Sequence, residues 1–167
     1  LNVIETTISV TGLTPAVLKL EGSSYIAAGA VATFTAVKAT VTGNTGQSFP
    51  ASFIALRSTG YVASAASGIV LNNCTMIVPA STPGGAAVFA KDNIVAFSGF
   101  LSLNEVAVQL TSAGPVHVIR ADSSFTPFAL NMTNVTGYLV STLNRASVLE
   151  GMVTPASVIN ITYSNIS

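Results

Sequence analysis

Leu1-Asn2-Val3-Ile4-Glu5-Thr6-Thr7-Ile8-Ser9-Val10-Thr11 opens the chain with apolar and polar side chains in alternation. Ile4, Thr6, Ile8 and Val10 share one face of an extended segment, which is the period-two pattern of a half-buried β-strand. Most of the residues are β-branched, and such residues favour the pleated backbone. The stretch therefore predicts an apolar β-strand and an all-β fold.

Residues 12–15, Gly-Leu-Thr-Pro, are predicted to form a hinge behind this strand. Gly12 permits unusual backbone angles, and Pro15 restricts the residue before it to extended conformations. The strand at residues 1–11 then has two interpretations: it completes the sheet of its own domain, or it adds to the sheet of a neighbouring subunit. In the second case the donor-strand contacts come from Val3, Ile4, Thr6, Ile8 and Val10.

The composition is unusually poor in charge. Only 7% of residues are charged, against about 25% in an average soluble domain, and six basic residues balance six acidic ones. This leaves no electrostatic footprint for nucleic acid or for an anionic membrane. A surface with so little charge tends to associate with other surfaces unless neighbouring subunits or attached sugars shield it from solvent.

The apolar runs are short. None approaches the roughly twenty residues of a membrane helix, so no membrane span is predicted. No basic region precedes an apolar one at the start, which for an exported protein indicates the mature form after removal of a signal peptide.

About ten to twelve short strands, separated by Gly, Pro and Asn, are predicted along the chain. Ala16–Glu21 and Thr75–Val78 are two of them, and one helical turn is predicted within residues 143–152. We recognise no internal repeat. Regularly spaced short strands favour a β-sandwich or barrel with Greek-key or jelly-roll connections, and we expect residues 16–167 to form one such domain.

Five Asn-x-Ser/Thr sequons mark acceptors for N-linked glycans in an exported chain. Chance produces some sequons in a sequence this rich in Asn, Ser and Thr. The strand predicted near the C-terminal end, however, places Asn160 opposite its apolar face, where a glycan reaches solvent. We expect glycosylation at Asn73, Asn131, Asn134, Asn160 and Asn165.

Groups that carry catalysis are scarce. His117 is the only histidine; a Ser-His-Asp arrangement with Asp122 can be drawn, but a strand histidine that faces the less buried side is the favoured interpretation. One histidine and one cysteine, Cys74, do not make a zinc site, and the six carboxylates show no paired spacing. Catalysis requires titratable groups with tuned pKa values. The sequence therefore predicts no enzyme, no metal and no cofactor, and Cys74 is expected to be a small buried hydrophobe.

Taken together, the chain resembles the subunits of archaeal thread filaments. The features that carry the resemblance are the strand at residues 1–11, the hinge, the all-β body, the near absence of charge and the five sequons. It implies an immunoglobulin-like, pilin-like β-sandwich of about ten strands with an exchanged N-terminal donor strand, and an acceptor groove near Ser157–Tyr163. Bacterial chaperone–usher pilins usually carry a disulfide, whereas Cys74 stands alone here.

The predicted function is that of a structural subunit of an extracellular, glycosylated filament. Identical subunits would polymerise head to tail by donor-strand complementation and serve adhesion or cell–cell contact. Two other interpretations remain open: a monomeric β-sandwich binding or adhesin module, and a jelly-roll shell protein of a virus or surface layer.

Overall fold

Parallel strand pairing dominates the structure, which is a computed structural model. Every pairing between described strands is parallel, and strands from successive parts of the chain stack in order. The fold is thus a β-solenoid, in which each of the first five coils adds one strand to each of three long sheets. The structure describes residues 1–22, 24–44, 50–57, 61–62, 64–91, 99–121, 129–143, 145–151, 158–162 and 165–167.

Three long sheets form the sides of the solenoid. Sheet A contains β1 (Asn2–Ile4), β5 (Val31–Thr35), β9 (Gly68–Asn72), β12 (Phe100–Asn104), β15 (Ala129–Thr133) and β18 (Val158–Thr162). Sheet B contains β2 (Thr7–Gly12), β6 (Lys38–Gly43), β10 (Thr75–Val78), β13 (Ala107–Ser112), β16 (Thr136–Ser141) and β19 (Asn165–Ile166). Sheet C contains β3 (Ala16–Glu21), β7 (Ala51–Arg57), β11 (Gly85–Lys91), β14 (Val116–Ala121) and β17 (Ala146–Gly151), and β4 (Tyr25–Ile26) pairs with β8 (Tyr61–Val62) beside them.

The coil is the repeat that inspection of the sequence does not reveal. Strands of sheet A begin at residues 2, 31, 68, 100, 129 and 158, so one coil takes 29 to 37 residues. Because the coils differ in length, equivalent positions in different coils carry side chains of similar polarity but not the same residue type. Val31–Thr35 and Phe100–Asn104, for example, both bury their second and fourth residues. A repeat of this kind leaves only an apolar pattern, which any half-buried strand also shows.

A two-residue bend carries the chain from sheet A to sheet B in each of the first five coils. Its first residue has a positive φ, between 46° and 54°. Its second residue is buried in the last four of these coils, as Val37, Cys74, Val106 and Val135. Backbone hydrogen bonds link one bend to the next; the Glu105 amide, for example, donates to the Thr133 carbonyl over 2.9 Å. The bends that have positive φ begin at Glu5, Ala36, Asn73, Glu105 and Asn134.

One apolar core runs through the stack of coils. It takes alternate residues from sheets A and B and most of the buried residues of sheet C. Phe34 of sheet A and Phe53 of sheet C meet across it, with ring centroids 5.3 Å apart and ring planes perpendicular. Edge-to-face contacts of this kind add to the stabilisation that burial provides.

The predicted immunoglobulin-like, pilin-like β-sandwich with an exchanged donor strand is wrong. Residues 1–11 form β1 and most of β2, which pair with β5 and β6 of the same chain. The helical turn predicted within residues 143–152 is also wrong, because Ala146–Gly151 is a strand. The all-β class and the strands Ala16–Glu21 and Thr75–Val78 are confirmed. Alternation of side chains predicts a strand but does not show whether its neighbours run parallel or antiparallel to it. The predicted sandwich assumed antiparallel neighbours.

Hydroxyl groups fill the corner between sheets B and C. The Ser112 hydroxyl donates to the Thr82 carbonyl over 2.5 Å and accepts from the Gly114 amide over 2.9 Å. The Ser141 hydroxyl, one coil further on, donates to the Gly114 carbonyl over 2.8 Å. The Thr82 hydroxyl accepts from the Gly43 amide over 3.2 Å. Backbone groups of the corner are thereby satisfied where no strand can pair them.

Candidate functional site

His117 lies at the centre of the most chemically complex cluster in the described chain. It stands on β14, is fully buried, and pairs in register with Ser147 of β17. Its Nδ1 is 2.8 Å from the Ser147 hydroxyl and 3.2 Å from Oε2 of Glu150. Arg145 contacts the other oxygen of the same carboxylate, with Nη1 3.3 Å from Oε1. Three strand residues and one corner residue thus assemble a serine, an imidazole, a carboxylate and a guanidinium.

The geometry does not make a nucleophilic triad. In such a triad the hydroxyl contacts one ring nitrogen and the carboxylate orients the other. Here the Ser147 hydroxyl and the Glu150 carboxylate both lie against Nδ1. One nitrogen cannot be held by the acid and take the serine proton at the same time. The cluster therefore joins β14 to β17 by polar contacts. His117 is a strand histidine as expected, but the expectation that it faces the less buried side is wrong, because its side chain is fully buried. Asp122, the acid considered from sequence, lies outside the described residues.

Charge is concentrated on sheet C. Six of the twelve charged residues stand in its strands, whereas the strands of sheets A and B hold one, Lys38. Arg120 lies 5.8 Å from the centre of the Phe89 ring, close enough for a cation–π contact. The charged residues of the sheet C strands are Lys19, Glu21, Arg57, Lys91, Arg120 and Glu150.

Glu21 is the acceptor at one end of this charged face. Lys19 Nζ lies 2.5 Å from Oε2, and Arg57 Nη1 lies 3.2 Å from Oε1. The hydrogen bond from Lys19 is the main cause that lowers the pKa of Glu21, with the positive charge of Arg57 adding to it. Because Glu21 is 39% exposed and Lys19 33% exposed, their ion pair orients side chains more than it stabilises the fold, whereas Arg57 is only 13% exposed.

Sheet B carries a shallow uncharged groove of about 310 Å³ on its outer side. The groove follows two columns of side chains that the strand register creates. In one column Thr75, Ala107 and Thr136 are neighbours; in the other, Gln109 lies beside Tyr138. Tyr138 is 56% exposed. The groove is lined by Thr75, Ala107, Val108, Gln109, Thr136, Gly137, Tyr138 and Ser167.

Two of the predicted glycan acceptors, Asn73 and Asn134, occupy equivalent bends. Both have positive φ, near 50°, and both are exposed. Asparagine is one of the few residues other than glycine that adopt this backbone conformation readily. The structure thus gives these asparagines a backbone role as well as a position open to a glycan.

The other three acceptors lie in strands. Asn131 is half-buried on β15 and pairs with Asn160 of β18, so neighbouring strands carry these two sequons. Asn165 pairs with Thr136 of β16. The sequons of Asn131 and Asn160 thus lie one strand spacing from each other, about 4.8 Å along the stack.

The residues predicted to contact a neighbouring subunit do not share one face. Val3, Ile8 and Val10 pack against the core of their own chain, whereas Ile4 is 59% exposed and Thr6 is exposed. The alternation changes phase at the bend, where the positive φ of Glu5 intervenes.

Gly12 and Pro15, the predicted hinge, lie at the corner between β2 and β3. The Gly12 carbonyl accepts from the Asn44 amide over 2.9 Å, and the Pro15 carbonyl accepts from the Ser52 amide over 3.0 Å. Both partners lie in the next coil, so hydrogen bonds hold this corner on each side of residues 13 and 14.

Cys74 is the buried second residue of a bend. Its thiol lies 3.3 Å from the Asn72 carbonyl and 3.4 Å from the Phe34 carbonyl. Burial raises the pKa of the thiol above its ordinary value of 9.0. A protonated, enclosed sulfur is a poor nucleophile and a poor metal ligand.

Sequence reasoning missed the groove and the sheet C cluster. Their members lie about 30 residues apart along the chain and meet only because the coils stack in register. His117 and Ser147, like Gln109 and Tyr138, are separated by the length of one coil. This shared separation is the sequence feature that could have indicated that the members of each pair are neighbours.

The described residues contain no helix long and apolar enough to cross a bilayer. Within the same residues, no three side chains of His, Cys, Asp or Glu come together as metal ligands. No protein-family model, no curated protein and no solved structure matches the chain.

Proposed function

We propose that the protein is a rigid structural module of an extracellular assembly and not an enzyme. One observation carries the proposal: in the part of the chain that the structure describes, a single apolar core passes through the first five coils, and three sheets bond each of these coils to the next. A solenoid built in this way resists bending and keeps a fixed distance between whatever lies at its two ends. From β1 to β18 the five strand spacings of sheet A amount to about 24 Å.

The arrangement of titratable groups supports a structural role. Among the described residues, the one cluster with a histidine and a hydroxyl places both the acid and the serine on the same ring nitrogen. The thiol of Cys74 is buried and its raised pKa keeps it protonated. Polar side chains instead join strands, as in the hydrogen bond that Asn104 Nδ2 donates to Asn72 Oδ1 over 2.9 Å.

The extracellular setting is supported by the scarcity of charge and by the sequons. Glycans at Asn73 and Asn134 would stand about 10 Å apart on one edge of the solenoid, two strand spacings from each other. Neither site requires a backbone change, because both side chains already lie at exposed bends. Peptide mapping of protein from its natural source is expected to find sugar at these two sites first.

Assembly of identical copies into a filament stays a prediction. Exchange of the strand at residues 1–11 no longer supplies its mechanism, since that strand pairs within its own coil stack. Sedimentation velocity over a hundredfold range of concentration separates the alternatives. Growing species support a homopolymer, and a constant monomer mass rejects it.

The scaffold proposal is tested by using the chain as a spacer. Two folded fluorescent domains are fused to its ends, and the distance between them is measured by single-molecule energy transfer. A Gly/Ser linker of equal length serves as the control, with an expected r.m.s. span of about 70 Å and a broad distribution. The solenoid is expected to give a narrow distribution at shorter distance. A distribution as broad as the control's would refute the scaffold function.

A further inference from the structure

We infer that the groove on sheet B is a binding subsite for a neutral glycan. The first ground is its donor and acceptor set. Hydroxyls of Thr75 and Thr136 and the carboxamide of Gln109 line it, and each can both donate and accept a hydrogen bond. Sugar hydroxyls likewise both donate and accept hydrogen bonds, so they can pair with these side chains in more than one orientation of the sugar.

The second ground is the exposed aromatic ring. Tyr138 is 56% exposed, whereas Leu139, the next residue on its strand, packs against the core, so the Tyr138 ring lies at the surface. An exposed ring on a flat strand surface offers an apolar platform beside polar groups. The less polar face of a pyranose ring stacks on such a platform, while its edge hydroxyls remain free to meet Gln109 and Thr136.

The third ground is the direction of the groove. Its two columns run from strand to strand, along the solenoid axis, with a step of about 4.8 Å. This step is comparable to the length of one sugar in an extended chain. A linear polysaccharide lying along the axis therefore meets an equivalent strand position at each residue.

The fourth ground is the absence of net charge around the groove. Lys38 pairs with Thr75 at one margin, and Glu105 precedes Ala107 at the bend beside it. These two charges are opposite in sign, and none of the described residues that line the groove has a charged side chain. Anionic sugars and nucleic acids need a surplus of cations, which this face lacks. The ligand is thus a neutral glycan, and the inference stands independently of the scaffold function.

The test measures binding of cellohexaose and maltohexaose to the full chain by isothermal titration calorimetry, with hexagalacturonate as the anionic comparison. At least one neutral hexasaccharide is expected to bind, and hexagalacturonate is not. Tyr138→Ala should weaken that binding at least tenfold, while Tyr138→Phe, which keeps the ring, should stay within about threefold, or roughly 0.6 kcal/mol.

Tyr25→Ala is the matched control, because Tyr25 is 55% exposed and lies on β4, outside the groove. It should bind like the unaltered chain, and circular dichroism of all three variants should be unchanged. Three results overturn the inference: no binding of either neutral hexasaccharide, equal binding by the Tyr138→Ala variant, or tighter binding of hexagalacturonate.

Discussion

The contact between Phe34 and Phe53 provides a direct test of the solenoid. The two residues lie on different sheets, and their rings meet edge to face at 5.3 Å inside the core. Such a pair contributes about 0.5–1.5 kcal/mol beyond the burial of the rings. Leucine keeps most of the volume but removes the aromatic contact, so Phe34→Leu and Phe53→Leu are each expected to cost about 1–3 kcal/mol.

The contribution of the aromatic contact is measured as the difference between the stability lost by the double variant and the sum of the losses of the two single variants. The double variant should lose less stability than the two single losses together, by about 1 kcal/mol, because the contact can be removed only once. Urea unfolding followed by circular dichroism measures the three free energies of unfolding. Equal urea dependence among variants is required for the comparison.

A second pair provides the control. Phe89 is buried like Phe34 but is not part of the core cluster, and Arg120 covers its ring. The losses of unfolding free energy caused by Phe34→Leu and Phe89→Leu should therefore be additive to within about 0.5 kcal/mol. Additivity of the Phe34 and Phe53 variants, or coupling in the control pair, would contradict the placement of these rings.

Three further predictions concern the corners and bends. Gly114→Ala should unfold the chain or cost more than about 3 kcal/mol, because the new Cβ would collide with the Pro83 carbonyl, and thermal unfolding measures the loss. Glu105→Asn should stabilise the fold by about 0.5–1 kcal/mol in urea unfolding, since asparagine tolerates the positive φ of 53°, whereas Asn134→Ala should lose as much. Cys74 should not react with a thiol reagent at pH 8 until the chain unfolds. Folding raises the pKa of this thiol, so its contribution to the free energy of unfolding should be fully present below pH 9.0 and be lost as the pH rises further. The Cys74→Ala variant should show a smaller loss of stability over that pH range.

The low pKa of Glu21 has a consequence of opposite sign. A carboxyl whose pKa is lowered by folding contributes stability above its ordinary value of 4.5, and the contribution is lost as the pH falls through the folded value. The effect is small, because Glu21 is 39% exposed and its contact with Lys19, the main cause of the lowered pKa, lies near solvent.

Some of the molecule could be predicted from the residues alone. The short apolar runs Ala16–Glu21 and Thr75–Val78 are recognisable as strands, since runs of this length bounded by turn residues are typical of buried strands. The burial of Cys74 also follows from local character, because a free cysteine in a β-rich chain behaves as a small hydrophobe.

Only the tertiary structure decided which strands meet and in which direction. Residues 1–11 look like one strand with one apolar face, but a positive φ at Glu5 splits them between two sheets and reverses the alternation. The same stacking brings His117 to Ser147 and Gln109 to Tyr138. Local patterning fixes the identity of a strand because that depends on neighbouring residues, whereas register between coils depends on contacts across about 30 residues, which no local pattern records.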